Sequence, residues 1–206
     1  MDARSTAQRI VSIVTILMTV SCPTFAGIIL TYGGSFDLNI PAEPGATKGW
    51  MTDALIEITD HYLIRDIDVR ISSTHTSVFD LQLFLQSPAG TRICLNMYNP
   101  FDEFFEGENY SQTIFDDEAD ISISLGEAPF TGRFRPKEPY QLSIFDDENT
   151  FGSWRLQIYD AFYYNAGTLD SFELIITTHT PEPATAILLI LGVGLMCLHK
   201  HPKQKL

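Results

Sequence analysis

Hydrophobic and polar residues alternate most clearly between positions 64 and 91. Ile64, Asp66, Asp68, Arg70 and Ser72 fall on one side of an extended chain. Ile67, Val69 and Ile71 fall on the other, with Arg65 interrupting that row once. A period of two built from β-branched residues predicts a half-buried strand. Leu81, Leu83 and Leu85 alternate with Gln82, Phe84 and Gln86 in the same way. Ser87-Pro88-Ala89-Gly90 closes this second run as a turn, with Pro near its start and Gly at its end. The link Thr74-His75-Thr76-Ser77 is short, so the two runs read as antiparallel strands of one sheet with a single buried face.

Short strands are predicted along the rest of the chain. They cover residues 28–38 with a break at Gly33-Gly34, 54–58, 92–95, 111–115, 121–125, 142–145, 154–159 and 172–177, and residues 41–49 read as a loop. No helical period separates them, and the spacing predicts an all-β fold, a jelly-roll β-sandwich. Val69, Ile71, Leu83, Leu85, Trp154 and Leu156 are the expected core. Residues 96–110 form a long loop in which Phe101, Phe104 and Phe105 stand among acidic residues; they either cap the sandwich or make a contact patch. Phe162-Tyr163-Tyr164 lie on another loop, either packed back or presented to a sugar or protein partner. Ile-Phe-Asp-Asp-Glu occurs twice, at 114–118 and 144–148, too locally to imply duplication.

Both ends of the chain read as addresses. Arg4 and Arg9, an apolar run at 10–20 and Thr24-Phe25-Ala26 make residues 1–26 a secretory signal peptide, cut before Gly27. A lipid anchor at Cys22 is the weaker alternative, because Thr19-Val20-Ser21 lacks the usual leucine. At the other end come Pro181-Glu182-Pro183, an apolar run at 184–198 and a basic tail with Lys200, Lys203 and Lys205. That run is shorter than the roughly 20 residues of an ordinary span, though snorkelling lysines make a thinned one feasible. The basic tail stays cytoplasmic by the positive-inside rule.

The formal net charge is -13, and residues 27–180 hold 24 acidic against 8 basic residues. Such a surface argues against nucleic acid, whose phosphates need Lys and Arg. It permits Ca²⁺, which takes about six to eight oxygens. Asp116, Asp117, Glu118 and Asp120 crowd one turn, with Asp80 and Asp160 at strand edges; Asp80, Asp116, Asp117, Asp120 and Asp160 are the candidate calcium ligands. The same side chains also serve as turn caps that accept backbone N–H groups. Asp146, Asp147 and Glu148 form a lesser acidic turn. Cys94, in an apolar run, reads as a buried thiol, and Cys22 and Cys197 lie in the two addresses, so the body has no internal disulfide. His75 reads as a strand-end residue bonded to Thr74 or Thr76 rather than a catalytic base. The chain carries no nucleophile elbow, phosphate loop or zinc spacing.

Two resemblances organise these readings. Val69-Arg70-Ile71 to His75-Thr76, Asp80-Leu81 and the run from Leu85 to Thr91 open an ordered series. It continues through Thr113 to Ala119, Ala128 to Pro136, Gly152 to Asp160 and Gly167 to Phe172. The series resembles the P domain of proprotein convertases, also called the P/Homo B domain. Asp146 stands where that family often has Gly, and Phe172 where it commonly has Trp. The resemblance implies a jelly-roll sandwich over 53–178, preceded by a lead-in at 27–52. It also implies a non-catalytic module whose relatives follow and stabilise a subtilisin-like protease. The C-terminal order at 181–206 resembles the PEP-CTERM sorting signal of Gram-negative bacteria. That resemblance implies transient anchoring in the inner membrane through 184–198, cleavage by an exosortase near Pro181, Glu182 and Pro183, and delivery to the cell surface or an exopolysaccharide matrix. A plain membrane tail is the alternative. The expected role is a secreted binding or structural module of the bacterial envelope, with a polysaccharide or extracellular protein as partner. The rival is a partner in trans for a secreted protease.

Overall fold

The computed structural model describes residues 27–43, 45–46, 48–97 and 107–179. The N-terminal address, Phe101, Phe104 and Phe105, and the segment carrying Pro181, Glu182 and Pro183 lie outside the described residues. Among the described residues, ten strands occur in chain order: β1 (Ile29–Ile40), β2 (Gly49–Trp50), β3 (Ala54–Ile58), β4 (Ile64–His75), β5 (Leu81–Gln86), β6 (Arg92–Asn96), β7 (Tyr110–Phe115), β8 (Phe130–Phe134), β9 (Gly152–Asp160) and β10 (Gly167–Thr178). The first sheet has the order β1-β10-β4-β7-β8; the second runs β2-β9-β5-β6, with β3 also paired to β9. All these pairings are antiparallel except β7 with β8.

Alternation sets the inner faces. Ile67, Val69 and Ile71 of β4 and Leu169, Phe172, Leu174 and Ile176 of β10 are buried on one side of the core. Leu81, Leu83 and Leu85 of β5 and Trp154, Leu156 and Ile158 of β9 are buried on the other. The two faces close a sandwich, and all six expected core residues are inside it. Trp154 meets Phe145 edge-on at 5.3 Å, and its Nε1–H donates to the Thr150 carbonyl at 3.0 Å, so its one polar atom is satisfied.

Four local expectations change. First, β4 and β5 are not paired: β4 lies between β10 and β7, and β5 between β9 and β6. Ser77 and the 3-10 turn Val78–Asp80 carry the chain across the sandwich, so the two leucine- and isoleucine-rich rows face each other through the core. Second, β1 runs unbroken through its glycines. The β10 backbone approaches so closely that a Cβ on Gly33 would strike the Phe172 carbonyl, and glycine is what lets the pairing continue. Third, Ile123–Leu125 and Leu142–Phe145 are 3-10 turns, not strands. Side-chain oxygens of Ser122 and Asp117 take up N–H groups in the first turn of each. Fourth, β8 has no alternating pattern: its three central residues are exposed and Gly132 sits at φ 101°.

Candidate functional site

The expected calcium carboxylates fall into two groups. β7 ends at Phe115, and Asp116 starts a turn in which its Oδ1 accepts the Glu118 N–H at 2.8 Å. Its Oδ2 accepts from Arg133 of β8, whose Nη1 also donates to Asp68 Oδ2 at 2.8 Å. One guanidinium thus joins two carboxylates from different strands. Asp66 and Glu118 line the same open cleft. Burial opposes charge on Asp116, but the hydrogen bonds from Arg133 and Glu118 outweigh it and hold this carboxyl below its ordinary value. Asp68 goes the other way: burial pushes it up to about 6 despite Arg133. Burial, then proximity to Asp116, raises Asp66, and burial with the Asp116 hydrogen bond raises Glu118. Asp117 turns away and accepts the N–H groups of Leu142 and Ser143 at 2.9 and 2.8 Å. Asp120 is exposed.

Asp80 and Asp160 belong to the other group, built where β4 ends. His75 is buried, with Nδ1 2.7 Å from the Ser77 carbonyl oxygen and Nε2 facing Asp160 Oδ2 at 3.4 Å. The Ser77 N–H also donates to Nδ1 at 3.2 Å, so both backbone groups of Ser77 address that nitrogen and hold the ring with Nε2 toward Asp160. Burial raises Asp160. Asp80 accepts from Ser77 Oγ at 3.0 Å and from Asn165 Nδ2 at 2.6 Å. Thr74 and Thr76, the expected partners of His75, bond instead to Thr168 and Asn165. This cluster ties the β4–β5 link to the β9–β10 loop. Tyr163 and Tyr164 of that loop are exposed, Tyr164 by 94%.

Asp68 and His75 are seven residues apart on β4, roughly 23 Å at the strand rise. The five carboxylates are therefore divided between the two ends of β4. Among the described residues, no three His, Cys, Asp or Glu side chains gather where they could hold a metal ion. Most of their oxygens receive protein donors. Cys94 is buried as expected, and burial pushes its thiol up to about 12, which keeps it protonated. Arg133, the centre of the first group, has no signal in the sequence; its carboxylate partner on β4 is 65 residues away.

Residues 64–176, from the start of β4 into β10, match the profile of the proprotein convertase P-domain. The match takes in more than half of the chain. This protein belongs to the proprotein convertase P-domain family. The P domain is a non-catalytic domain associated with proteases. Both carboxylate groups lie inside the matched P-domain segment. Among solved structures, the chain resembles the complex of the Aeromonas sobria serine protease and the chaperone. The identity is 18% and the TM-score 0.41, with 76% of this chain and 28% of that one covered. It also resembles the Aeromonas sobria serine protease alone, at 19% identity and TM-score 0.41 over 74% of this chain and 27% of that one. The P-domain chain thus spans little more than a quarter of the length of those structures. No curated protein matches it.

Proposed function

We propose that this P-domain protein is a secreted, surface-sorted binding or structural module of the bacterial envelope or exopolysaccharide matrix. One observation carries the reading: the P-domain match at 64–176 sits between an N-terminal secretion address and the Pro181-Glu182-Pro183 segment with its apolar run and basic tail. The proposed order is export and cleavage before Gly27, transient anchoring through 184–198, and release by an exosortase. The jelly-roll body over 53–178 is the delivered part. Intact mass of the mature protein, with fractionation of the producing cells, tests this. A mass ending near Pro183 in the outer-membrane or matrix fraction is expected. A chain that keeps its tail through Leu206 in the inner membrane overturns the sorting step.

The second reading is a stabilising partner in trans for a secreted subtilisin-like protease, and the family's association with proteases favours it. A protease that co-purifies with the chain and melts at a higher temperature in its presence would favour it over the first. Neither reading assigns a resident ion. Melting curves in EDTA and in calcium test that point, and a shift of several degrees on calcium would return the turn at Asp116, Asp117 and Asp120 to the functional site.

A further inference from the structure

Alternate residues of β5 and β9 turn away from the core and build the outer face of the second sheet. Gln82 stands opposite Tyr159, Phe84 opposite Gln157 and Gln86 opposite Arg155. Trp50 of β2 joins this face, its ring centre 4.8 Å from that of Tyr159 and 6.1 Å from that of Phe84. The Arg92 guanidinium lies 3.8 Å from the centre of the Phe84 ring. Four planar groups therefore run in series, and Trp50 is half exposed. Gln82 to Gln86 alone covers roughly 14 Å at the strand rise. Past Gln86 the strip opens into a cleft of about 610 Å³ that Ser87, Phe151, Ser153 and Arg155 help to line. Ser87 and Ser153 form part of its wall, with their hydroxyl oxygens turned beneath the surface.

The charges on this strip answer one another. Arg155 faces Asp53 at 3.7 Å. Gln157 donates to Asp53 at 3.2 Å and accepts from Arg92 Nε at 2.8 Å. On a strongly acidic body, the strip is close to neutral. A polyanion would be repelled by that body, and a cationic partner would be drawn to the carboxylates around Arg133. What complements the strip is an uncharged chain with both apolar faces and paired hydroxyls. A pyranose offers both: its C–H groups lie against aromatic rings, and its hydroxyls exchange hydrogen bonds with side-chain amides.

We propose that the outer face of the second sheet, from Trp50 past Phe84 to the Ser87–Ser153 cleft, binds a neutral polysaccharide. The inference rests on the extracellular reading above and names its ligand class. The chain has two tryptophans, and Trp154 is fully buried, so Trp50 is a built-in reporter. The purified full chain is titrated with hydroxyethylcellulose, xyloglucan, galactomannan and, as the anionic control, alginate. Tryptophan emission and mobility in affinity gels are read together. At least one neutral polymer is expected to shift the emission to the blue and retard the chain. Trp50→Ala and Phe84→Ala should each weaken that retardation at least tenfold with little change in melting temperature. Tyr164→Ala, on the exposed loop, should leave it unchanged. Gln157→Ala tests the amide contribution in a variant that keeps every ring. Absence of retardation by all three neutral polymers overturns the proposal, as does preference for alginate or indifference to both ring deletions. If Trp50→Ala instead abolishes self-association or capture of a secreted protease, the strip is a protein interface and the proposal falls. A surface-located chain that binds no polymer overturns this inference alone. A chain retained in the inner membrane that binds one overturns the sorting reading alone.

Discussion

Residues 114–118 and 144–148 carry the same five residues, Ile-Phe-Asp-Asp-Glu, in two different structures. In the first, Ile114 and Phe115 end β7, paired with Arg70 and Val69 of β4. In the second, Ile144 and Phe145 end a 3-10 turn. Phe is fully buried in both, while Ile144 is exposed and Ile114 is half-buried. Asp116 is buried and bonded to Arg133; Asp146 is exposed, and partial burial together with Asp66 raises it. Asp117 uses both oxygens on the N–H groups of Leu142 and Ser143, so the first copy holds the start of the turn that contains the second. Asp147, its counterpart, sits at φ 65° and donates its N–H to the Ile64 carbonyl. Five residues thus specify an inward phenylalanine and little more. The neighbouring strand decides whether the backbone extends or coils and which carboxylate is buried.

The largest effects should come from what the copies share. Phe115→Ala and Phe145→Ala should each cost about 3–5 kcal/mol in chemical denaturation, and Trp154→Ala, packed on Phe145, about as much. A loss under about 1 kcal/mol at either phenylalanine would break the equivalence between the copies. The aspartates should then separate them. Asp117→Ala leaves two N–H groups without an acceptor and should cost about 1–2 kcal/mol. Next comes the pH response of the Arg133 group. Asp68 has a folded value near 6, above its ordinary unfolded value, so the native state binds the extra proton between the two. Its contribution to stability therefore falls as pH rises through about 6. Asp68→Asn should flatten the change in melting temperature between about pH 4 and about pH 6. An unchanged slope would place the titration on another group. The smallest effect belongs to Asp147→Gly, which relieves the left-handed backbone and should be neutral or stabilising by up to about 1 kcal/mol.

The sandwich is legible because alternation marks a core face without reference to partners. Val69, Ile71, Leu83, Leu85, Trp154 and Leu156 need only point inward. Pairing is not legible in the same way. β4 and β5 each have one apolar row, and a short link suits a hairpin as well as a crossing between sheets. Ile123, Leu125, Leu142 and Phe145 sit in windows of three or four residues, too short to separate a period of two from a period of three. Phe130 and Phe134 flank an exposed middle, so β8 gives no alternation at all. The acidic side chains of the site stand out by composition, but their grouping does not. Asp116 and Asp117 are neighbours in sequence and bond to opposite sides of the turn, whereas Asp160 at the end of β9 faces His75, and Asp80 at the end of the 3-10 turn bonds to Ser77 and Asn165. Phe84 breaks a row of glutamines and reads as outward-facing, but nothing in the sequence brings Trp50 or Tyr159 to it.

β1 lies beside β10, with Ile29 opposite Thr177 and the Thr178 N–H bonded to the Ile28 carbonyl at 3.0 Å. The chain therefore enters and leaves the sandwich at one corner. A load applied between those two flanks would peel β1 from β10 one rung at a time, because antiparallel rungs lie across the strands and open in sequence. The fold is mechanically soft along that line, and a domain held by a single flank escapes the load. The same corner makes it a cassette: Gly27 and His179 are close enough for a short splice to join them, and a permuted chain opened at the Tyr163–Tyr164 tip should keep its core.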